Sequence, residues 1–187
     1  QKLHVLWNIT DECNGYFLDY FKYIEDISFE KNTQNIYNID YTGCVIDKNF
    51  EPEYDKLQIL PFLLEKITKL QHTLNNDYIS IHIRRTGHIF LAKKRNKFMQ
   101  LNEFYKFIEL FPNKSIYVAT DNLETYKTIQ NKFPKRVILK YHQNNPNLLR
   151  QTSLEDAIID LYMCIGSSEF MGTTWSSFSD LIIKLRK

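Results

Sequence analysis

The chain has 187 residues, of which 43% are hydrophobic and 25% charged. That composition excludes a disordered tail, and apolar stretches of about five residues fall far short of the ~18 that cross a bilayer. The net charge of +2 hides an asymmetry, because residues 1–60 carry 11 acids and 5 bases while residues 61–187 carry 11 acids and 19 bases. The second part is therefore the place to seek an anionic ligand. Cys13, Cys44 and Cys164 are widely spaced and odd in number, which reads as isolated thiols and not as a disulfide framework or a zinc site. Neither a signal peptide nor a membrane-spanning segment is visible, and the expectation is a cytoplasmic chain with no membrane partner.

In chain order, Leu3–Trp7 reads as a short buried strand, and Phe17, Tyr20, Phe21 and Ile24 recur at helical spacing over 16–24. Residues 26–56 are polar and irregular, with β-like fragments near 36–41 and 44–46. A helix is predicted over 57–74, since Leu60, Leu63, Leu64, Ile67 and Leu70 fall on one face, with Pro61 in its first turn. Strands follow at 78–83, 115–119, 136–141 and 170–172, and helices at 101–111, 123–133, 154–165 and 175–185. Ser153 is the expected N-cap of the 154–165 helix. Regular alternation from residue 57 onward predicts a doubly wound parallel α/β sheet. The chain thus divides into a partial N-terminal region, 1–56, and a Rossmann-like domain, 57–187.

In such sheets ligands sit at the carboxyl ends of the strands. The strand at 78–83 runs into Arg84-Arg85-Thr86-Gly87-His88, and six cations without an acid lie between Tyr78 and Gln100. His82 and Arg84 are two apart and leave one face of an extended chain, so together they form a candidate anion site. Thr174, Ser176 and Ser177 lie where a strand gives way to a helix, a place for either N-capping or phosphate binding. Asp121 follows the next strand and can cap a helix or touch a ligand, and Asp160 shares a helix face with Asp156. No Gly-x-Gly-x-x-Gly, P-loop or Asp-x-Asp occurs, so dinucleotide, P-loop and metal–diphosphate readings lack support, and no metal is expected. Aromatics do not interleave with the 84–97 basic run, and nucleic acid is not an expected partner.

Four segments in register resemble the α1,6-/protein O-fucosyltransferase-like superfamily. His82-Ile-Arg84-Arg85-Thr resembles its His-x-Arg-Arg-x-Asp motif, and Ile116-Tyr-Val-Ala-Thr-Asp121 its second strand. Leu154–Tyr162 resembles the helix bearing its Asp, here Asp160, and Gly172-Thr-Thr-Trp-Ser176-Ser177-Phe-Ser its final motif. Leu3–Phe21 resembles a strand and following segment of the other half in microbial and viral members, without the Gly-rich start that precedes it there, so the chain is expected to be a fragment. The resemblance implies a GT-B-like glycosyltransferase, inverting and metal-independent, that moves fucose from GDP-fucose to a glycan or protein hydroxyl. It implies that Arg84 holds the β-phosphate and stabilises the departing GDP as a catalytic group, that His82 and Asp160 face the guanine, and that Ser176 and Ser177 contact phosphate, with Arg85, Asp121 and Thr174 also in the nucleotide-sugar-binding set. His88 is a candidate catalytic group and Glu103 a weaker candidate base. Gly87 stands where the family has Asp, and the spacing from Asp160 to Ser177 is one residue longer than in the α1,6 enzymes. Gly87 also keeps open an alternative, a nucleotide-sugar-binding module that does not transfer.

Overall fold

The computed structural model describes residues 3–9, 14–25, 27–32, 54–86, 93–94, 98–139 and 152–186. Three parallel strands, β3 (Tyr78–Ile83), β4 (Ser115–Thr120) and β5 (Glu169–Gly172), form a sheet in the order β4-β3-β5. The register pairs Tyr78 with Ser115 and His82 with both Ala119 and Gly172. Helices α1 (Pro61–Thr73), α2 (Leu101–Glu109), α3 (Leu123–Lys132), α4 (Leu154–Ile165) and α5 (Ser177–Leu185) cover both of its faces. A mixed α/β architecture with parallel strands is thus present, as expected.

The period-two pattern of β3 explains the layering. Ile79, Ile81 and Ile83 enter one core with Phe104 and Ile108 of α2 and Tyr126 and Ile129 of α3. Tyr78 enters the opposite core with Ile67 of α1, Leu161, Met163 and Cys164 of α4 and Ile182 of α5. All six β3 side chains are buried, although three are polar. Each polar one has its partner: Tyr78 Oη donates to Met163 O at 2.7 Å, Ser80 Oγ pairs with Ser167 Oγ at 2.6 Å, and His82 Nδ1 pairs with Ser179 Oγ at 2.7 Å. Buried Cys164 has its thiol pushed well above the ordinary range, which suits an inert core residue.

Caps set the helix ends that periodicity left loose. Pro61 stands at the first helical position, so α1 begins four residues later than expected. Residues 57–60 instead lie outside the helix, with Ile59 in an antiparallel bridge to Phe21 and Leu60 N donating to Tyr20 O at 2.8 Å. Ser153 Oγ accepts from Asp156 N and caps α4, and Glu103 closes a capping box with Gln100 at the start of α2. Glu103 Oε1 accepts there from Gln100 N at 2.9 Å.

Three expectations fail. The 136–141 strand is not formed over its described part, residues 136–139. Val137 N turns back to Phe133 O, and the Arg136 guanidinium is spent on the carbonyls of Ile108, Phe111 and Lys114, leaving one ladder bond from Ile116 N to Arg136 O. The helix at 16–24 shrinks to a 3-10 turn, Phe17–Asp19, because Phe17 stacks between Phe21 and Phe29 at centroid distances of 4.8 and 4.3 Å. Phe29 belongs to a strand not foreseen, β2 (Ile27–Asn32), which pairs in parallel with β1 (Leu3–Asn8). Ile27 and Phe29 alternate with Ser28 and Glu30 there, a short period-two signal. The β-like fragments at 36–41 and 44–46 lie outside the described residues. Among the described residues no helix is long and apolar enough to cross a membrane.

Candidate functional site at the carboxyl ends of the strands

β3, β4 and β5 all release their chains toward a cavity of about 690 Å³. Its walls include His82, Arg84 and Thr86 after β3, Asp121 after β4, and Ser176, Ser177 and Phe178 at the start of α5. Asp180, Leu181 and Lys184 continue one face of α5, while Asn14 and Tyr54 reach it from the N-terminal region. Sequence reasoning missed Asp180 and Lys184, yet positions 177, 180, 181 and 184 follow the helical i, i+3, i+4, i+7 stripe, which is signal enough. Asn14 Oδ1 accepts from Leu154 N at 2.9 Å and ties the N-terminal region to α4.

The loop carrying Arg84 is held rigid by side chains from the other two strand ends. Asp121 Oδ1 accepts from Arg85 N at 2.7 Å, and Asp121 Oδ2 accepts from Thr86 N at 3.0 Å and also from Thr86 Oγ1. Thr173 Oγ1 accepts from Arg84 N at 3.0 Å and lies 2.9 Å from His82 O, to which it donates. Asp121 is therefore a positioning group whose acceptors are largely consumed by the loop. Thr173 is the residue the sequence passed over in favour of its neighbour: Thr174 is exposed, and its backbone N–H meets Met99 Sδ. The Arg84 side chain, fastened only by Nε to Thr86 O at 3.3 Å among the described residues, lines the cavity.

His82 is buried and leans on Phe178 at a centroid distance of 4.8 Å. Burial pulls its pKa down to about 4, Asp121 opposing and Arg84 reinforcing, so the ring is neutral at pH 7. Gly172 makes its bond to Ser179 possible. A Cβ at that position would come within 2.6 Å of Ser179 Cβ and Oγ, so only glycine lets α5 settle this close to β5. Ser176 is fully buried and serves as the α5 N-cap, accepting from Ser179 N, while Ser177 is exposed to the cavity. The first amides of α5, at Ser177 and Phe178, lie beyond the reach of intrahelical acceptors, as at any helix start. Both residues line the cavity, which favours a negative group there.

Two further expected site residues, besides Thr174, lie outside this cavity's walls. Arg85 turns away, donating to Met99 O at 3.0 Å and stacking its guanidinium 4.8 Å from the Phe98 centroid. Asp160 lines a separate cavity of about 500 Å³ between α1, α4 and the edge of β4. It is half-buried and accepts from Tyr117 Oη at 2.7 Å. Burial raises its carboxyl to about 7, the Tyr117 hydrogen bond pulling it down and Asp156 pushing it further up. The two cavities share Thr152 as a wall, so His82 and Asp160 line adjoining cavities and not one pocket. His88 and Gly87 lie outside the described residues. Among the described residues no cluster of His, Cys, Asp and Glu has the makings of a metal site. No protein-family model matches the chain, and no curated protein matches it.

Proposed function

We propose that the chain is a GT-B-like glycosyltransferase of the α1,6-/protein O-fucosyltransferase-like type, with a Rossmann-like unit, 57–187, that binds GDP-fucose or a closely related nucleotide sugar. The carrying observation is the convergence of Arg84, neutral His82 and the α5 N-terminus on one cavity at the carboxyl ends of parallel strands. A diphosphate there meets a guanidinium fork and helix-terminal amides, both preorganised. Transfer proceeds without a metal. The acceptor hydroxyl, from a glycan or protein, attacks the anomeric carbon as its bond to the β-phosphate oxygen breaks. Charge grows on that phosphate, where Arg84 stabilises it, and GDP departs. The hydroxyl proton passes to a base, for which His88 is the candidate. Asn14 and Tyr54 line the cavity from the N-terminal region, the part that takes the acceptor in this reading.

The test is a thermal shift with GDP, GDP-fucose, UDP and ADP in the presence of EDTA. At about 100 times Kd, GDP adds ~2.7 kcal/mol of stability. The expected result is a shift with the guanine nucleotides alone, abolished in Arg84→Ala. No shift with any nucleotide, or equal shifts with all, overturns the proposal. Gly87 in place of the family acid favours a second reading, a module that holds the nucleotide sugar without transferring it. GDP binding with no fucose transfer, and no gain of transfer in Gly87→Asp, selects the second.

A further inference from the structure

The polar face of β3 has three residues, and each meets a partner across the core. The Tyr78 and Ser80 bonds stay within the core, whereas the His82–Ser179 pair sits where the ring also lines the ligand cavity. Ser179 is 2% exposed. Among the described residues, His82 Nδ1, at 2.7 Å, is the hydrogen-bonding partner of its Oγ. Two arrangements of the protons are available. In one, the ring donates from Nδ1 and the serine proton is buried with no acceptor, which incurs the full desolvation cost of a polar hydrogen. In the other, the serine hydroxyl donates to a bare Nδ1, and the ring proton resides on Nε2. The second satisfies every group at the contact.

We infer that Ser179 donates its hydroxyl proton to His82 Nδ1 and thereby holds the imidazole as the Nε2–H tautomer, so that His82 presents a neutral N–H donor to an acceptor oxygen of the ligand beside Arg84. Ser179 is then a positioning residue. It sits on α5, its distance from β5 set by Gly172, and its backbone N–H is held by the Ser176 cap. In that tautomer Nε2 already carries a proton, so His82 does not serve as the general base. Neutrality follows from the burial that draws the ring toward about 4, helped by the positive charge of Arg84 against the opposing carboxylate of Asp121. Only the identity of the ligand rests on the proposed function; the tautomer is a property of the free protein.

Long-range proton–nitrogen correlation spectra of histidine-labelled protein at pH 7 test it, with His82→Gln assigning the ring among five histidines. The expected spectrum has a bare, hydrogen-bonded Nδ1 and a protonated Nε2, and in Ser179→Ala the Nδ1 resonance moves as its bond is lost. A protonated Nδ1 in the wild-type protein overturns the inference. So does an Nδ1 resonance that Ser179→Ala leaves in place. GDP and inorganic pyrophosphate are then added separately. A shift of Nε2–H with pyrophosphate identifies a phosphoryl oxygen as its acceptor, and a shift with GDP alone identifies an oxygen of the nucleoside. Ser179→Ala is expected to weaken GDP binding about fivefold, the worth of one neutral hydrogen bond. GDP that stabilises the protein while leaving Nε2–H unmoved overturns the donor role. GDP that does not bind at all overturns the nucleotide reading, and the free-protein spectrum still decides the part played by Ser179.

Discussion

The two cavities share the wall formed by α4 and Thr152, yet their polar groups differ in what they hold. In the strand-end cavity, nearly every polar atom near Arg84 is committed to another: Asp121 to two amides and a hydroxyl, Thr173 to two backbone groups, and His82 to Ser179. The flanking cavity has three carboxyls at its wall: Glu155 pairs with Lys66, Asp156 accepts from Ser153 Oγ, and Asp160 has a single tyrosine donor and a pKa drawn up to about 7. The first is a preorganised polar surface, whereas the second holds a group poised between charged and neutral. The raised carboxyl of Asp160 distinguishes them better than charge does, because both contain lysine and aspartate side chains.

The strongest way to break this contrast is Asp121→Ala. It strands the Arg85 and Thr86 amides and frees the Arg84 loop. A loss of about 3 kcal/mol is expected in urea denaturation, together with loss of the GDP-induced thermal shift. Unchanged stability would show that the loop holds itself.

The contrast sharpens with pH. Native Asp160 keeps a proton that the unfolded chain releases near pH 4, so its contribution to stability falls as pH rises from about 4 to about 7. Native His82 refuses a proton that the unfolded chain takes up below about pH 6.5, so its contribution rises with pH from about 4 to 6.5. The slopes oppose each other, and the wild-type protein is expected to be nearly flat across that window. Asp160→Asn should unmask a rise and His82→Gln a fall, each on the order of 2 kcal/mol after allowance for solvent screening. Denaturation midpoints at pH 4.5 and about 6.5 check both signs.

The smallest effect separates two neighbours. Thr173→Val removes the acceptor for Arg84 N and a donor to His82 O, for about 1 kcal/mol and a weaker grip on GDP. Thr174→Val, at an exposed position, is expected to stay within about 0.5 kcal/mol in the same thermal melts.

Much of the three-stranded sheet was legible because its signals are local. Tyr78–Ile83 alternates with period two, Leu154–Ile165 opens on a serine cap, and both elements have the boundaries expected. The failures have one cause. Over 16–24 the aromatic spacing suited a helix, but the rings found better partners in Phe29 and Trp7, residues distant in sequence. Over 136–139 the β-like composition was outweighed by a guanidinium gathering carbonyls from two other elements.

By itself the sequence determined the alternation of strands and helices, the excess of cations after residue 60, and the placing of His82 and Arg84 at a strand end, since periodicity and charge are properties of short stretches of chain. Tertiary structure alone decided which polar side chains face the cavity and which hold its walls. Asp121, Thr173 and Ser179 satisfy groups 35 to 97 residues away, while Asp160 turns into the neighbouring cavity. Such pairings follow from the need to satisfy buried donors and acceptors across a packed sheet, and no local pattern records them.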